Sequence, residues 1–311
     1  MLGHAKTLCG MLLLGLMLGL AAQITMAADA FTLATAGPAA AKGDAGAEYF
    51  MGRAYALGEG VTQNYAQALS YLRQAADQRN AAAENHLGAL YTQGLGVPQD
   101  YGIALQWYRK AAAQGYAAAD NNLGRAYELG QGVPTNMVEA VKWYTRAAEQ
   151  NRLDAELTLG DIYLGYRGVK VNLAEARKWF EKAWAQGDLS AGNNLGSVYE
   201  AGGTGVAQNC QQAMKYYRAA AERGFALAQM NVGRLYVEGT CVPVDPVEAY
   251  AWFKVADHNG NLIARHYEED LDGTMTHGDV ACRPLTAAQR VKATARTAEL
   301  AKTLGQKPAA K

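Results

Sequence analysis

The sequence predicts an all-α protein built from six consecutive pairs of helices. A glycine recurs at intervals of 36 or 37 residues, and a tyrosine follows three residues after each of these glycines. Every interval also contains two segments with apolar residues at helical spacing, separated by a glycine-rich turn. Repetition at this period is typical of solenoids, in which each repeat packs mainly against its neighbours. The recurring glycines are Gly52, Gly88, Gly124, Gly160, Gly196 and Gly233.

The composition excludes two broad classes of protein. Half of the 311 residues are hydrophobic and there are 18 tyrosines, which is incompatible with a disordered chain. The 29 basic residues balance the 29 acidic residues, so no bulk charge favours a nucleic-acid partner.

The N-terminal residues 1–28 have the pattern of a secretory signal peptide. A weakly basic start precedes a short apolar run from Leu8 to Ala22, and small residues follow near Ala27 and Ala28. The run is short for a membrane span, although a retained anchor is an open alternative. We therefore expect a periplasmic or secreted protein, with residues 29–43 as a flexible linker after the leader.

Each repeat then divides into a first helix, a turn and a second helix. In repeat 2, Leu87 and Tyr91 lie on the predicted core face of the first helix, and Gly94 ends it. Asp100 is placed to cap the second helix. The six predicted caps are Asn64, Asp100, Asn136, Asn172, Asn209 and Asp245.

The second helices share a large aromatic residue at one position, which predicts core packing. We attribute the recurring mid-helix glycine to close approach of neighbouring helix backbones, because glycine costs about 1 kcal/mol relative to alanine there. The aromatic residues are Tyr71, Trp107, Trp143, Trp179, Tyr216 and Trp252.

The pattern A-x-x-x-x-L-G-x-x-Y-x-x-G-x-G-V-x-x-D/N, then A-x-x-W-Y/F-x-x-A-A-x-x-G, resembles the Sel1-like repeat, a relative of the tetratricopeptide repeat. It is clearest in residues 81–116 and 117–152, and the resemblance covers residues 44–261. The resemblance implies a right-handed superhelical solenoid of antiparallel helix pairs, with first helices lining a concave groove. Residues 262–305 are expected to form C-terminal capping helices, and 306–311 a disordered tail. An extra residue in the turn of repeat 5 predicts a bulge.

No catalytic or metal-binding motif is present in the sequence, so we predict no catalytic residues, metal ligands or cofactor. His258, His266, His277 and Cys282 have spacings that fit no familiar zinc site. The resemblance leaves a rival function open, because some cysteine-rich relatives are described as binding or hydrolysing β-lactams. A β-lactam- or peptidoglycan-directed hydrolase is therefore the alternative.

The favoured function is an extracytoplasmic scaffold, a monomer that binds an unidentified protein or peptide in the concave groove. Family resemblance supports it, since such repeats are chiefly adaptors. The candidate contacts occupy two positions on the first helices, three residues before and one residue after the repeat glycine. We expect the three arginines among them to bind carboxylates. These candidates are Tyr49, Arg53, Asn85, Asn121, Arg125, Leu157, Asp161, Asn193, Ser197, Met230 and Arg234. The paired asparagines also have a structural interpretation, as bridges between adjacent backbones.

Three cysteines remain after leader removal, which predicts one disulfide in an oxidising compartment. We favour Cys241–Cys282, because a repeat translation separates Cys210 from Cys241 while the segment around Cys282 is unconstrained. Cys210–Cys241 and a chain without a bridge are the alternatives.

Overall fold

The structure, a computed structural model, describes residues 32–273 and 283–305. The predicted signal peptide, the tail at 306–311, His277 and Cys282 lie outside these residues. Within the described ranges the regular secondary structure is helical, apart from one isolated bridge between Gly203 and Val206. None of the described helices combines the length and apolar character required to cross a bilayer. The chain divides into two compact units, residues 1–147 and 148–311, called here the N-terminal and C-terminal units.

The N-terminal unit contains one short helix followed by three helix pairs. Antiparallel partners within a pair and successive pairs along the chain contact each other. The helices are α1 (Leu33–Ala40), α2 (Ala45–Leu57), α3 (Tyr65–Asp77), α4 (Ala81–Gln93), α5 (Tyr101–Ala113), α6 (Ala117–Leu129) and α7 (Met137–Glu149), whose last two residues extend past the boundary.

The C-terminal unit contains three further pairs and two final helices. These are α8 (Leu153–Tyr163), α9 (Leu173–Ala185), α10 (Leu189–Ala201), α11 (Cys210–Glu222), α12 (Ala226–Glu238), α13 (Pro246–His258), α14 (Leu262–Asp272) and α15 (Ala287–Thr303). Helix α15 packs against α13, and Leu300 completes a core with Trp252. The turn of repeat 5 closes through paired hydrogen bonds between Gly203 and Val206, at the predicted bulge.

All six predicted caps begin second helices. The side chain of Asp100, for example, accepts a hydrogen bond of 2.8 Å from the backbone N–H of Ile103. The backbone N–H of each capping residue also donates to the carbonyl of the repeat tyrosine, as Asp100 does to Tyr91 at 3.0 Å. Together these bonds fix the turn between the two helices of a repeat, because they satisfy backbone groups at both helix ends.

The recurring glycine makes room for a side chain of its own repeat, and not for a neighbouring backbone as expected. A Cβ added to Gly88 would lie 2.5 Å from Tyr108 Cε1, and one added to Gly196 would lie 2.6 Å from Tyr217 Cδ1. The same close contact occurs in every repeat. The side chains that cover the six glycines are Leu72, Tyr108, Tyr144, Phe180, Tyr217 and Phe253.

The residues that cover the glycines follow the predicted aromatic stripe by one position, which corrects part of that prediction. Trp179 and Trp252 are buried, but Trp143 is only half-buried and its neighbour Tyr144 is buried. The Arg146 guanidinium lies 5.4 Å from the centre of the Trp143 ring. In the N-terminal unit the stripe therefore borders solvent and basic side chains, because the adjacent residue fills the space above the glycine.

The expected flexible linker, residues 29–43, contains a packed helix. Helix α1 buries Ala36 and Ala40 against Ala47 and Met51. Its first residue, Leu33, lies over Gly60, whose added Cβ would be 2.4 Å from Leu33 Cδ1. This helix covers the exposed edge of repeat 1, which the small, aperiodic sequence did not indicate.

The disulfide joins Cys210 to Cys241, so the favoured Cys241–Cys282 pairing was wrong. The two Cα atoms are 4.8 Å apart. The reason is a recurring contact between the start of one second helix and the turn of the next repeat. A Cβ on Gly96 would lie 2.4 Å from Tyr65 Cβ, and one on Gly132 would lie 2.8 Å from the carbonyl carbon of Tyr101. Cys210 and Cys241 occupy these two positions, 31 residues apart.

Candidate partner-binding face of the first helices

The predicted contact residues differ widely in exposure. Arg125 is exposed, whereas Asn193 and Met230 are buried, with 4% and 8% of their surface accessible. Met230 packs in a core with Phe253 and Ala264, so its side chain does not have the exposure that a partner contact requires. The other eight are half-buried: Tyr49, Arg53, Asn85, Asn121, Leu157, Asp161, Ser197 and Arg234.

Several asparagines on this face bridge neighbouring first helices. Asn122 Nδ2 on α6 donates to Asn85 Oδ1 on α4 at 2.8 Å. In the C-terminal unit, Asn231 Nδ2 on α12 donates to Asn193 Oδ1 on α10, also at 2.8 Å. The asparagines therefore join neighbouring first helices through their side chains and not through the backbones as expected, so Asn85 and Asn193 help to align repeats.

The three arginines predicted to bind carboxylates have different surroundings. Arg53 forms an exposed ion pair with Glu59 at 2.9 Å. Arg234 lies between two carboxylates, at 2.7 Å from both Glu200 and Glu238. For Arg125, the described residues provide no acidic partner. Of the three guanidinium groups, Arg125 is thus the one available for a carboxylate of another molecule.

In the N-terminal unit, Arg125 interacts electrostatically with Tyr108 of repeat 2, whose hydroxyl group is part of an uncharged pair. The Thr92 and Tyr108 hydroxyls are hydrogen-bonded at 3.0 Å. Burial raises the pKa of Tyr108, so its hydroxyl stays neutral. On the same first-helix face, the rings of Tyr49 and His86 lie 6.2 Å apart, and burial lowers the pKa of His86. His86 is therefore an uncharged imidazole at neutral pH.

The C-terminal unit has a charged network at the corresponding place. The Ser197 and Tyr217 hydroxyls are 2.9 Å apart, and Tyr217 donates to Glu200 at 2.8 Å. Glu200 in turn accepts two bonds from Arg234. Burial raises the pKa of Tyr217, so the tyrosine is a hydrogen-bond donor here and not a base. Glu200 and Tyr217 were not singled out in the sequence, because only their packing against Arg234 gives them a role.

A third feature, which sequence reasoning missed, is a series of buried acids at the start of the first helices. Glu84 is 4% exposed and accepts a 2.6 Å hydrogen bond from Gln114, and burial raises the pKa of its carboxyl group. The same acid–glutamine pair recurs as Glu48 with Gln78 and Glu156 with Gln186. The sequence feature that could have predicted these acids is an acidic residue four positions before the repeat glycine, which is present in the first four repeats. In repeat 6 the position is Gln229.

The described residues include no group of three or more metal-binding side chains. His258 and His266 are both exposed, and their proposed companions His277 and Cys282 lie outside the described ranges. The structure therefore does not bring a metal cluster together in the part of the chain that it describes.

The helix pairs coincide with a known repeat. The model of the Sel1 repeat matches six segments, 45–80, 81–116, 117–151, 153–188, 190–225 and 226–256. The chain belongs to the Sel1 repeat family. No protein with a curated description matches it significantly.

Two solved structures support this membership. A protective antigen of uropathogenic Escherichia coli with an SLR fold is 33% identical, with a TM-score of 0.70 over 86% of this chain. The match covers 56% of the antigen, so the present chain spans just over half of its length. A Sel1 repeat protein from Oxalobacter formigenes is 38% identical, with a TM-score of 0.63 over 71% of this chain and 90% of its own. Sel1 repeats are commonly protein-interaction scaffolds.

Proposed function

We propose that this protein is an extracytoplasmic scaffold that binds a segment of a partner protein along its first helices, as a monomer. The observation that supports this most directly is the exposed position of Arg125. The positions that hold Glu200 and Glu238 beside Arg234 are occupied by Thr92 and Leu129 beside Arg125. The guanidinium of Arg125 can therefore form a bidentate pair with a carboxylate of the partner.

The compartment is proposed from two features. The leader-like residues 1–28 favour export, and the Cys210–Cys241 disulfide is typical of an oxidising environment. Both favour the periplasm or secretion over the cytosol. The partner is then expected among envelope or extracellular proteins with an acidic segment. Arg53 in the N-terminal unit and Asp161 and Ser197 in the C-terminal unit are further proposed contacts on first helices.

The experiment is affinity capture from envelope extracts, followed by a binding measurement with the purified partner. Arg125→Glu is expected to raise the dissociation constant about tenfold or more, because a charge-assisted contact contributes about 1.5–3 kcal/mol. Arg109→Glu is the control, since Arg109 is an exposed arginine of the second helix α5. Unchanged affinity in Arg125→Glu would place the binding site on the turns or the second helices.

The alternative hydrolase function has no specific observation in its favour. The Ser197–Tyr217 hydroxyl pair resembles a nucleophile with a neighbouring base, but repeat 2 also has a hydrogen-bonded hydroxyl pair, Thr92 with Tyr108, in which Thr92 lies three positions further along the first helix. The raised pKa of Tyr217 also opposes its action as a base. Turnover assays on β-lactam and peptidoglycan substrates test this alternative directly.

A further inference from the structure

A cavity of about 500 Å³ lies between the first helices of repeats 5 and 6, within the C-terminal unit. We call it the Glu200 cavity. The disulfide contributes Cys241 to its wall, and the network around Arg234 forms much of the remainder. Its lining residues are Ser197, Glu200, Ala201, Gln208, Tyr217, Asn231, Arg234, Thr240 and Cys241.

The charge at this cavity is negative, although an arginine lines it. Arg234 Nη2 donates to both oxygens of Glu200, and Nη1 donates to Glu238. Two carboxylates therefore share one guanidinium, which leaves one excess negative charge. The two carboxylates beside the guanidinium repel an incoming anion. This reverses the sign expected for the Arg234 position from the sequence.

A buried amide gives a second, independent indication of the ligand. Asn231 is 9% exposed and lines the cavity. Its Nδ2 donates to Asn193 Oδ1, while Asn193 Nδ2 lies 3.5 Å from Asn194 Oδ1. In this arrangement the Nδ2 of Asn231 is directed to Asn193 and its Oδ1 is the remaining polar atom of the side chain. Asn231 Oδ1 is left as an acceptor with no hydrogen-bond partner among the described residues.

A third acceptor comes from the turn of repeat 5. Gln208 Nε2 donates to the carbonyl of Glu200 at 2.9 Å, which leaves Gln208 Oε1 for another donor. The cavity thus combines carboxylate and amide oxygens with the apolar surfaces of Ala201 and Cys241. Arginine and lysine match this combination, because their charged ends are pure donors and their stems are apolar.

We propose that the Glu200 cavity binds the cationic side chain of an arginine or lysine in the partner segment. The identification of the ligand as part of a protein rests on the proposed function. The charged end donates to Glu200 and Asn231, and the stem lies along Ala201 and the disulfide. This would give the scaffold a side-chain pocket specific for basic residues.

The test is a titration of the full, disulfide-bonded chain with Nα-acetyl-arginine amide, followed by NMR or calorimetry. Gln208→Glu adds a carboxylate at the cavity and is expected to tighten binding about threefold. Gln208→Lys is expected to weaken binding about tenfold, because a like charge then faces the ligand. Ala201→Trp fills the cavity from an exposed helix end and should abolish saturable binding, while leaving the charged network intact.

The matched control is Gln99→Lys. Gln99 is the equivalent turn residue of repeat 2 and donates to the Thr92 carbonyl at 2.7 Å. The Gln99→Lys variant should bind the arginine probe with unchanged affinity. The inference is overturned if the arginine probe does not saturate, if Ala201→Trp and Gln208→Lys leave its affinity unchanged, or if Nα-acetyl-aspartate amide binds instead and Gln208→Lys strengthens it.

These outcomes are separate from the test of the proposed function. Probe binding with no partner captured in envelope extracts would contradict the scaffold and leave the cation site established. Partner capture with no probe binding would contradict only the cation site.

Discussion

Repeats 2 and 3 of the N-terminal unit and repeats 5 and 6 of the C-terminal unit place equivalent residues together but differ in their chemistry. Tyr108 and Tyr217 cover the same glycine position, and each contacts a hydroxyl of the first helix. Around this shared framework, Thr92 is replaced by Glu200. As a result Arg125 is exposed, whereas Arg234 is held by two carboxylates.

The contact between the start of a second helix and the turn of the next repeat also has the same position but different chemistry in the two units. In the N-terminal unit Tyr101 packs directly on Gly132, and in the C-terminal unit the equivalent residues are joined covalently as Cys210 and Cys241. Equivalent positions are therefore in contact in both units, although the side chains at those positions differ in chemistry. The differences between Thr92 and Glu200 and between Leu129 and Glu238 therefore separate an exposed arginine from one that is paired with two carboxylates.

The largest expected effect comes from removing the rings that cover the glycines. Tyr108→Ala and Tyr217→Ala should each lower the free energy of unfolding by about 3–5 kcal/mol, because each leaves a cavity over Gly88 or Gly196. Urea denaturation with hydrogen exchange will measure the loss and assign it to one unit. Trp143→Ala is the comparison, and it should cost less than Tyr144→Ala since Trp143 is half-buried. An equal cost for Trp143 and Tyr144 would contradict the packing described above.

The disulfide should contribute slightly less. Replacing Cys210 and Cys241 with serine is expected to cost about 3–4 kcal/mol by the chain-entropy estimate for a loop of 31 residues. The double variant Cys210→Tyr with Cys241→Gly recreates the Tyr–Gly contact of the N-terminal unit. It should recover part of that loss in thermal and urea denaturation. If it is no more stable than the serine variant, the two contacts are not structurally equivalent.

The smallest effect concerns the buried acids and depends on pH. Burial raises the pKa of Glu84, so its proton is held more tightly in the folded chain than in the unfolded one. The resulting stabilisation is complete below the unfolded pKa and is lost as pH rises through the folded pKa. Glu84→Gln should therefore exceed the wild type in stability at pH 8 by about 1 kcal/mol, a typical hydrogen-bond energy. The two proteins should converge near pH 4.

The reciprocal change, Gln229→Glu, places an acid in the repeat that lacks one. Gln229 is fully buried and donates to the Ala221 carbonyl at 2.9 Å. The variant should lose about 1–3 kcal/mol at pH 8 and less at pH 4, because the ionised carboxylate is desolvated. Melting temperatures across pH 4–8 provide the measurement. A pH-independent loss would mean that the new carboxyl group stays neutral or becomes hydrated.

Local sequence patterns were sufficient to predict the six helix pairs and the family. Caps such as Asp100 and turn glycines such as Gly94 act within a few residues, so their spacing was sufficient to predict them. Leu87 and its equivalents were correctly placed in the core, because helical periodicity is also local. The spacing of Cys210 and Cys241 contained a usable signal as well, since it equals that of Tyr65 and Gly96.

Which residues meet across repeats depends on tertiary packing. Asn231 bonds to Asn193, 38 residues away, and Arg234 to Glu200, 34 residues away. The repeat period places such residues near each other, but the rotation and side-chain direction of each helix decide whether they touch. The burial of Met230 and the docking of α1 have the same origin. These contacts depend on how helices from different repeats pack. Local sequence patterns do not give the distance between side chains on such helices.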